Sequence, residues 1–365
     1  MNIIFWGAGK IGEKALRKFN AKNSGDDIFM GFVDSKKTGN YLGYPIISLE
    51  DLDRDTTAIV ITISNVFAVS DVYKDVCKAG FKNIYLYNNA KERNYYLGES
   101  FLVEECIEIR EWNKPILATA EMHIVDWCNL NCKACSHFAP LCEKEFPNTQ
   151  RRIEDVKRTA QLFPNILRFR ILGGEPLLSP DIITYISEIR RILPNSLLHL
   201  ATNGLLIPSI PQEVLECMKK NDVIVYITNY QPTSKMLDRI VERLVDNGIF
   251  YEIDPADKPV TTFYKSLDLS EKSNYQRKCW TPGCIEICDG KIARCPSLIF
   301  IKHFNNKFGT SLPDEGILDL YEYNDGNELL EEMRKNIPLC NYCVSEEVEW
   351  QQCKKEIRID DFAKR

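Results

Sequence analysis

The sequence predicts an α/β protein in three parts: a half-sized parallel sheet first, a partial (β/α)6 barrel next, and a small cysteine-rich domain last. Three observations predict it. Apolar runs of strand length alternate with stretches of helical spacing over residues 1–90, and the alternation resumes over 116–254. A glycine-rich turn follows the first of those runs. Of fourteen cysteines, all but Cys77 and Cys106 fall after residue 127, most of them in two sets. The expected boundaries are 1–92 for the first sheet, 93–115 for a connecting helix, 116–268 for the barrel and 269–365 for the cysteine-rich domain.

The first part reads as strands over 2–6, 28–34, 58–64 and 84–87, with helices over 10–19 and 67–79. Strand, glycine turn and helix in that order make a mononucleotide-binding unit. Gly7, Gly9 and Gly12 fit GxGxxG in that context, and Asp34 follows about twenty residues later, at a strand end where a carboxylate can accept hydrogen bonds from ribose hydroxyls. The other reading is a domain of this shape without a ligand, serving as a docking surface. Only about one and a half mononucleotide halves fit before the second part begins, so a nucleotide diphosphate carrying a substituent suits the space better than NAD. The run from Gly31-Phe32-Val33-Asp34-Ser35 to Tyr41-Leu42-Gly43-Tyr44-Pro45-Ile46-Ile47-Ser48 resembles the small Rossmann-like domains that precede enzymes of bacterial surface-sugar biosynthesis.

Residues 103–110 have helical spacing and suggest the connecting helix, in which Cys106 would be a buried small hydrophobe, as Cys77 and Cys217 would be in their own helices. Strands are then expected near Met122, Leu167, Leu197, Val223 and Ile249, with a sixth over 260–264. Helices are expected over 153–162, 181–192, 211–220 and 234–246. In parallel barrels, ligand-bearing loops gather at the C-terminal ends of the strands.

Cys128, Cys132 and Cys135 stand just after the first barrel strand, spaced by three residues and then two. Three thiolates can hold a cubane of four irons and four sulfides and leave one iron open for a chelating small molecule. Zinc is the other reading of this spacing, with His123 or His137 as a fourth ligand. The spacing resembles the cluster loop of the radical S-adenosylmethionine superfamily. Leu172-Gly173-Gly174-Glu175-Pro176 follows the next strand, about forty residues on, and resembles that family's GGE motif. Two glycines let backbone approach a ligand and expose NH groups, and the Glu175 carboxylate can accept from an ammonium. The resemblance implies that Gly173, Gly174, Glu175 and Pro176 bind the methionyl end of S-adenosylmethionine. Thr202 and Asn203, at the third strand end, match the position that contacts its ribose and carboxylate, or form an ordinary Asn-Gly turn with Gly204. The chain departs from the family in having Ala134, not an aromatic residue, before the third cysteine, which leaves Phe138 as the adenine-packing candidate.

Cys279, Gly290, Cys295, Cys340 and Cys343 resemble the twitch domain, a half-size relative of the SPASM domain, which holds one auxiliary [4Fe-4S] cluster. Cys279, Cys295, Cys340 and Cys343 are the expected ligands; Cys284 can replace Cys279, and a zinc ribbon is the alternative.

With 44% hydrophobic residues and a net charge of -6, the chain reads as a soluble, cytoplasmic protein; no basic stripe suits nucleic acid and no apolar run suits a membrane. The N-terminus reads as a first strand rather than a signal peptide. The resemblance implies a reaction: a reducing partner such as flavodoxin or ferredoxin supplies an electron, S-adenosylmethionine is cleaved, and a 5'-deoxyadenosyl radical takes hydrogen from the substrate. Oxidation would use the auxiliary cluster as acceptor, and epimerisation would use a thiol donor such as Cys142, Cys284, Cys288 or Cys353. The expected substrate is a small carbohydrate or polyol, nucleotide-linked; a peptide-modifying enzyme and a non-catalytic iron-sulfur or zinc sensor are the alternatives.

Overall fold

A computed structural model of the chain describes residues 1–22, 27–90, 92–95, 98, 100–270 and 283–365. Its contacts divide the chain into two units, one of Met1–Ala90, Tyr95–Ala118 and Phe163–Leu167, the other of Lys91–Asn94, Thr119–Leu162 and Arg168–Arg365. Among the described residues no helix is long and apolar enough to cross a membrane.

The first unit is built on a five-stranded sheet in the order Ile28–Val33, Asn2–Trp6, Thr57–Ile61, Ile84–Tyr87 and Cys106–Glu108. The first four strands are parallel. Every residue of Thr57–Ile61 is buried, as expected for a central strand covered on both faces. Helices Lys10–Lys22 and Val66–Lys78 follow the strands Asn2–Trp6 and Thr57–Ile61, the second helix capped by Asn65, which accepts from the Ala68 NH at 3.0 Å. Phe5, Phe19, Phe32 and Phe101 share one aromatic core.

The expected connecting helix is corrected here. A single helical turn, Phe101–Glu105, gives way to the strand Cys106–Glu108, which pairs antiparallel with Ile84–Tyr87. Helical spacing in 103–110 loses to the open edge of the sheet, whose unpaired NH and CO groups gain partners when Ile107 aligns with Leu86. Cys106 is therefore a buried strand residue.

The second unit carries five parallel strands in chain order, Ala120–His123, Arg168–Leu172, Leu197–Thr202, Val223–Thr228 and Phe250–Asp254. Helices Thr149–Leu162, Ile182–Ile192, Gln212–Lys220 and Leu237–Asp246 connect them. Consecutive right-handed crossovers place such helices on one face. That face is apolar, with Met122, Ile171, Leu200 and Val225 abreast. The opposite face is polar. Beyond Ala120–His123 the sheet continues with a parallel strand, Glu286–Cys288, and its hairpin partner Lys291–Ala293.

The sixth barrel strand is also corrected. Thr262–Asp268 is a strand, but it pairs with Cys343–Glu349 and Ala363–Lys364 in a separate three-stranded sheet. Thr262 and Tyr264 on its alternate face are exposed, and a strand buried on both sides of a parallel sheet has no room for such a face.

Candidate active site

The cysteine loop starts where Ala120–His123 ends, and three of its non-glycine residues, Asn131, Ala134 and Phe138, take positive φ of 50 to 56°. These turns fold the loop back on itself so that Cys128, Cys132 and Cys135 face a common region. Their sulfurs do not all lie within 4.8 Å of one another, since among the described residues only His123, His137 and Glu286 form such a group. Three sulfurs on one tetrahedral zinc would be about 3.8 Å apart. At least one sulfur pair is therefore wider than a single tetrahedral zinc would set.

Donors surround the sulfurs. Cys128 Sγ accepts from the Leu130 NH at 3.4 Å and from Asn203 Nδ2 at 3.7 Å, and Cys132 Sγ accepts from Trp350 Nε1 at 3.2 Å. Burial pushes the Cys128 thiol up to about 12 and holds Cys132 and Cys135 above the ordinary thiol range as well. A bound metal reverses this preference, because coordination deprotonates a thiol outright. The donor set therefore fits an iron-sulfur cluster held by these three residues.

The two glycines of the next motif let two backbones meet. A Cβ on Gly173 would lie 2.1 Å from the Val125 carbonyl oxygen, and one on Gly174 would lie 2.1 Å from that of Trp127. Gly174 NH donates to Val125 O at 2.7 Å, and Glu175 NH donates to Trp127 O at 3.1 Å. Glycine is required here for the approach of two backbones to each other, and these two NH groups are already used. Pro176 is buried at the start of the following turn, Pro176–Leu178.

Glu175 is fully buried. Its carboxylate accepts from Thr202 Oγ1 at 2.7 Å, Asn203 NH at 2.9 Å and Leu177 NH at 3.1 Å. Burial raises it to about 7 despite these three donors. An ionised carboxylate has about four acceptor sites, so one remains for an ammonium. Asn203 also joins the cysteine loop through Nδ2, 2.8 Å from Asn129 Oδ1. The structure thus brings Cys128, Glu175, Thr202 and Asn203 together.

Phe138 is not available to adenine: it is fully buried against Phe304 and Phe362, at ring distances of 5.6 and 6.0 Å. Tyr230 and Trp350 were not foreseen. They pack together at 5.7 Å beside Leu130 and Cys132, and Phe263 lies 6.1 Å from Tyr230. The place of Tyr230, two residues beyond a parallel strand's C-terminal end, is the signal that would have found it. Trp350 had none.

Cys295, Cys340 and Cys343 line one cavity with Arg294, Ser136 and Leu267. Arg294 Nη2 lies 3.9 Å from Cys340 Sγ. Cys279, their expected fourth partner, lies outside the described residues. In the first unit, Gly7 has φ of 124°, and a Cβ on Gly12 would meet the Gly7 carbonyl oxygen at 2.2 Å, whereas one on Gly9 meets nothing within 4 Å. Asp34 accepts from the NH groups of Ala8, Lys36 and Lys37 at 2.9 to 3.0 Å. Burial alone would raise this carboxyl, but the three NH groups outweigh it and hold it low. It ties the glycine turn to the end of the second strand.

The polar face of the parallel sheet supplies residues that single motifs did not. Glu121, Arg170 and His199 stand abreast on three strands, and Tyr226 and Glu252 stand abreast on the next two. Arg170 Nη1 donates to Glu121 at 2.7 Å, His199 Nε2 lies 3.4 Å from Glu252, and Tyr226 Oη donates to Asp254. Burial pulls His199 down to about 4, so the imidazole is neutral.

Residues 122–252 match the Radical SAM superfamily, so the chain carries a radical SAM domain over the parallel strands and the three-cysteine loop. A domain of that superfamily implies an enzyme, with its class open, and a [4Fe-4S] cluster and S-adenosylmethionine as cofactors. The GTP 3',8-cyclase of Alkaliphilus oremlandii is 33% identical over 95 residues, 26% of this chain and 29% of that protein. The probable GTP 3',8-cyclase of Methanocaldococcus jannaschii is 26% identical over 178 residues, 47% of this chain and 55% of that one. The chain thus spans between about a third and about half of the length of these relatives. Among solved structures, BtrN in complex with AdoMet and 2-DOIA is similar with a TM-score of 0.41 and 13% identity, over 63% of this chain and 94% of that one.

Proposed function

We propose that this chain cleaves S-adenosylmethionine reductively and abstracts hydrogen from a carbohydrate or polyol, one that carries a nucleotide. The observation that carries the substrate class is the polar face of the parallel sheet, where buried Glu121, His199 and Glu252 and half-buried Arg170, Tyr226 and Asp254 form a hydrogen-bonding surface. A hydroxyl-rich substrate finds partners there, whereas an apolar side chain would leave buried polar groups unpaired. The glycine turn of the first unit, which opens directly into a helix, supports a nucleotide ligand. The relatives named above are GTP 3',8-cyclases, and GTP is also a nucleotide.

When bound, the cluster and S-adenosylmethionine supply a hydrogen-abstracting radical, and an auxiliary cluster supplies an electron acceptor. Cys128, Cys132 and Cys135 hold the first; Cys295, Cys340 and Cys343, with Cys279, hold the second. Glu175 accepts from the substrate ammonium of S-adenosylmethionine, and Thr202 and Asn203 keep its carboxylate aimed. Tyr230, Trp350 and Phe263 exclude water from the cysteine loop.

The test is anaerobic incubation of the reduced protein, in deuterated buffer, with a panel of nucleotide sugars and, separately, with GTP and with a peptide, followed by mass spectrometry. A nucleotide sugar two mass units lighter, or one carrying a single deuterium, is expected with 5'-deoxyadenosine. Conversion of GTP or a peptide, with every sugar unchanged, would overturn the substrate class.

A further inference from the structure

We propose that His123, His137 and Glu286 form a binding site for a divalent first-row metal ion, separate from both cysteine sets. Their ligand atoms all lie within 4.8 Å of one another, and the site is assembled from a strand end, the cysteine loop and a neighbouring strand.

Each residue is prepared for the role. His123 is fully buried, its Nδ1 stands 3.1 Å from Asp126 Oδ1, and its ring is stacked on Phe300 at 4.0 Å. A carboxylate on one ring nitrogen fixes the tautomer and leaves the other lone pair for a metal, an arrangement common around histidine ligands. That other nitrogen, Nε2, faces His137 Nδ1 at 2.6 Å. Two nitrogens on one tetrahedral zinc are about 3.3 Å apart, so the rings would part by about 0.7 Å as the ion displaces the shared proton.

Glu286 is the independent observation. It is fully buried, and neither carboxylate oxygen has a partner of full hydrogen-bond geometry; the His123 backbone NH and the more distant Arg152 favour its charged form without pairing it. Other acids around it are matched: Arg152 lies 3.8 Å from Asp126 and 3.3 Å from Asp289, and Arg170 lies 2.7 Å from Glu121. Among the described residues Glu286 has no cation within 4.0 Å. A buried carboxylate without a partner is costly, and a dication shared with two imidazoles removes the cost. Two imidazoles and a carboxylate suit zinc and its first-row neighbours, with water as a further ligand.

The test uses holoenzyme with its iron-sulfur clusters reconstituted, dialysed against zinc and then buffer. X-ray absorption at the zinc edge should show about one zinc per chain with only nitrogen and oxygen neighbours, at about 2.0–2.1 Å. Glu286→Gln should weaken zinc binding at least tenfold, and Asp126→Asn about 10- to 100-fold, both with unchanged iron content. Sulfur in the first shell, no retained zinc, or full affinity in both variants would overturn the proposal. Should Glu286→Gln fail to fold, the wild-type spectrum still decides.

Discussion

Trp350 donates its indole NH to the sulfur of Cys132 across 3.2 Å, although 218 residues separate the two in sequence. The contact is one of a set. Cys353 NH donates to Asn131 O at 2.7 Å, Lys133 NH to Gln351 O at 2.8 Å, and Gln352 Nε2 to Leu130 O at 2.8 Å. Residues 350–353 thus form part of the wall of the three-cysteine loop. A hydrogen bond to a ligating sulfur favours the reduced, more negative cluster. Trp350→Phe keeps most of the packing and loses the donor. Its cluster should retain iron and show a midpoint potential lower by tens of millivolts, on the order expected for one bond of this kind, in potentiometry followed by electron paramagnetic resonance.

Two cysteine sets should hold separate clusters. Anaerobically reconstituted protein is expected to contain about eight irons per chain, and replacement of Cys128, Cys132 and Cys135 together by Ala should remove about half of them and abolish S-adenosylmethionine cleavage. Stoichiometric zinc with no iron in protein prepared without oxygen would refute the assignment.

Glu175 gives the site a pH dependence whose sign follows from burial. In the ligand-free protein its carboxyl titrates at about 7, above an ordinary carboxylic acid, so below that pH it must release a proton before it can receive an ammonium. Affinity for S-adenosylmethionine should therefore fall about tenfold per unit as pH drops below 7, and level off above it. Glu175→Gln should lose about 1.5 to 3 kcal/mol of binding at pH 8 and abolish the pH dependence. Anaerobic calorimetry between pH 6 and 8 reads both, and equal affinity at all pH values would remove Glu175 from this role.

The glycines of the first unit should separate stability from binding. Gly12→Ala drives a Cβ to 2.2 Å from the Gly7 carbonyl oxygen and should destabilise the protein by about 1 to 3 kcal/mol, read as a lower melting temperature. Gly9→Val meets open space at its Cβ, so folding should change little while a nucleotide diphosphate sugar binds more weakly. Wild-type protein that binds no nucleotide sugar in calorimetry, or binds NAD alone tightly, would overturn the nucleotide-sugar reading and leave a docking or a redox role for the first unit.

The sequence by itself determined the parallel strands and helices of 120–254, because apolar periodicity and strand-end turns are local properties. It also located Cys128, Cys132, Cys135, Gly173, Gly174, Glu175, Thr202 and Asn203 on loops that the structure brings together. Only the tertiary structure decided what those groups touch. Glycine at 173 and 174 reads the same whether a ligand or the Val125 and Trp127 carbonyls approach it, and only the packed loops distinguish the two. Phe138 reads as an exposed candidate until its ring is placed between Phe304 and Phe362. The helical spacing of 103–110 yields to an open sheet edge that no local pattern announces. The alternation of polar residues along the strands was present in the chain, yet the partners of Glu121, Arg170, His199 and Glu252 depend on register between strands. Register, burial and contact at long sequence separation are collective properties of the fold. Trp350 beside Cys132 and the buried, cation-free Glu286 beside two histidines arise only there.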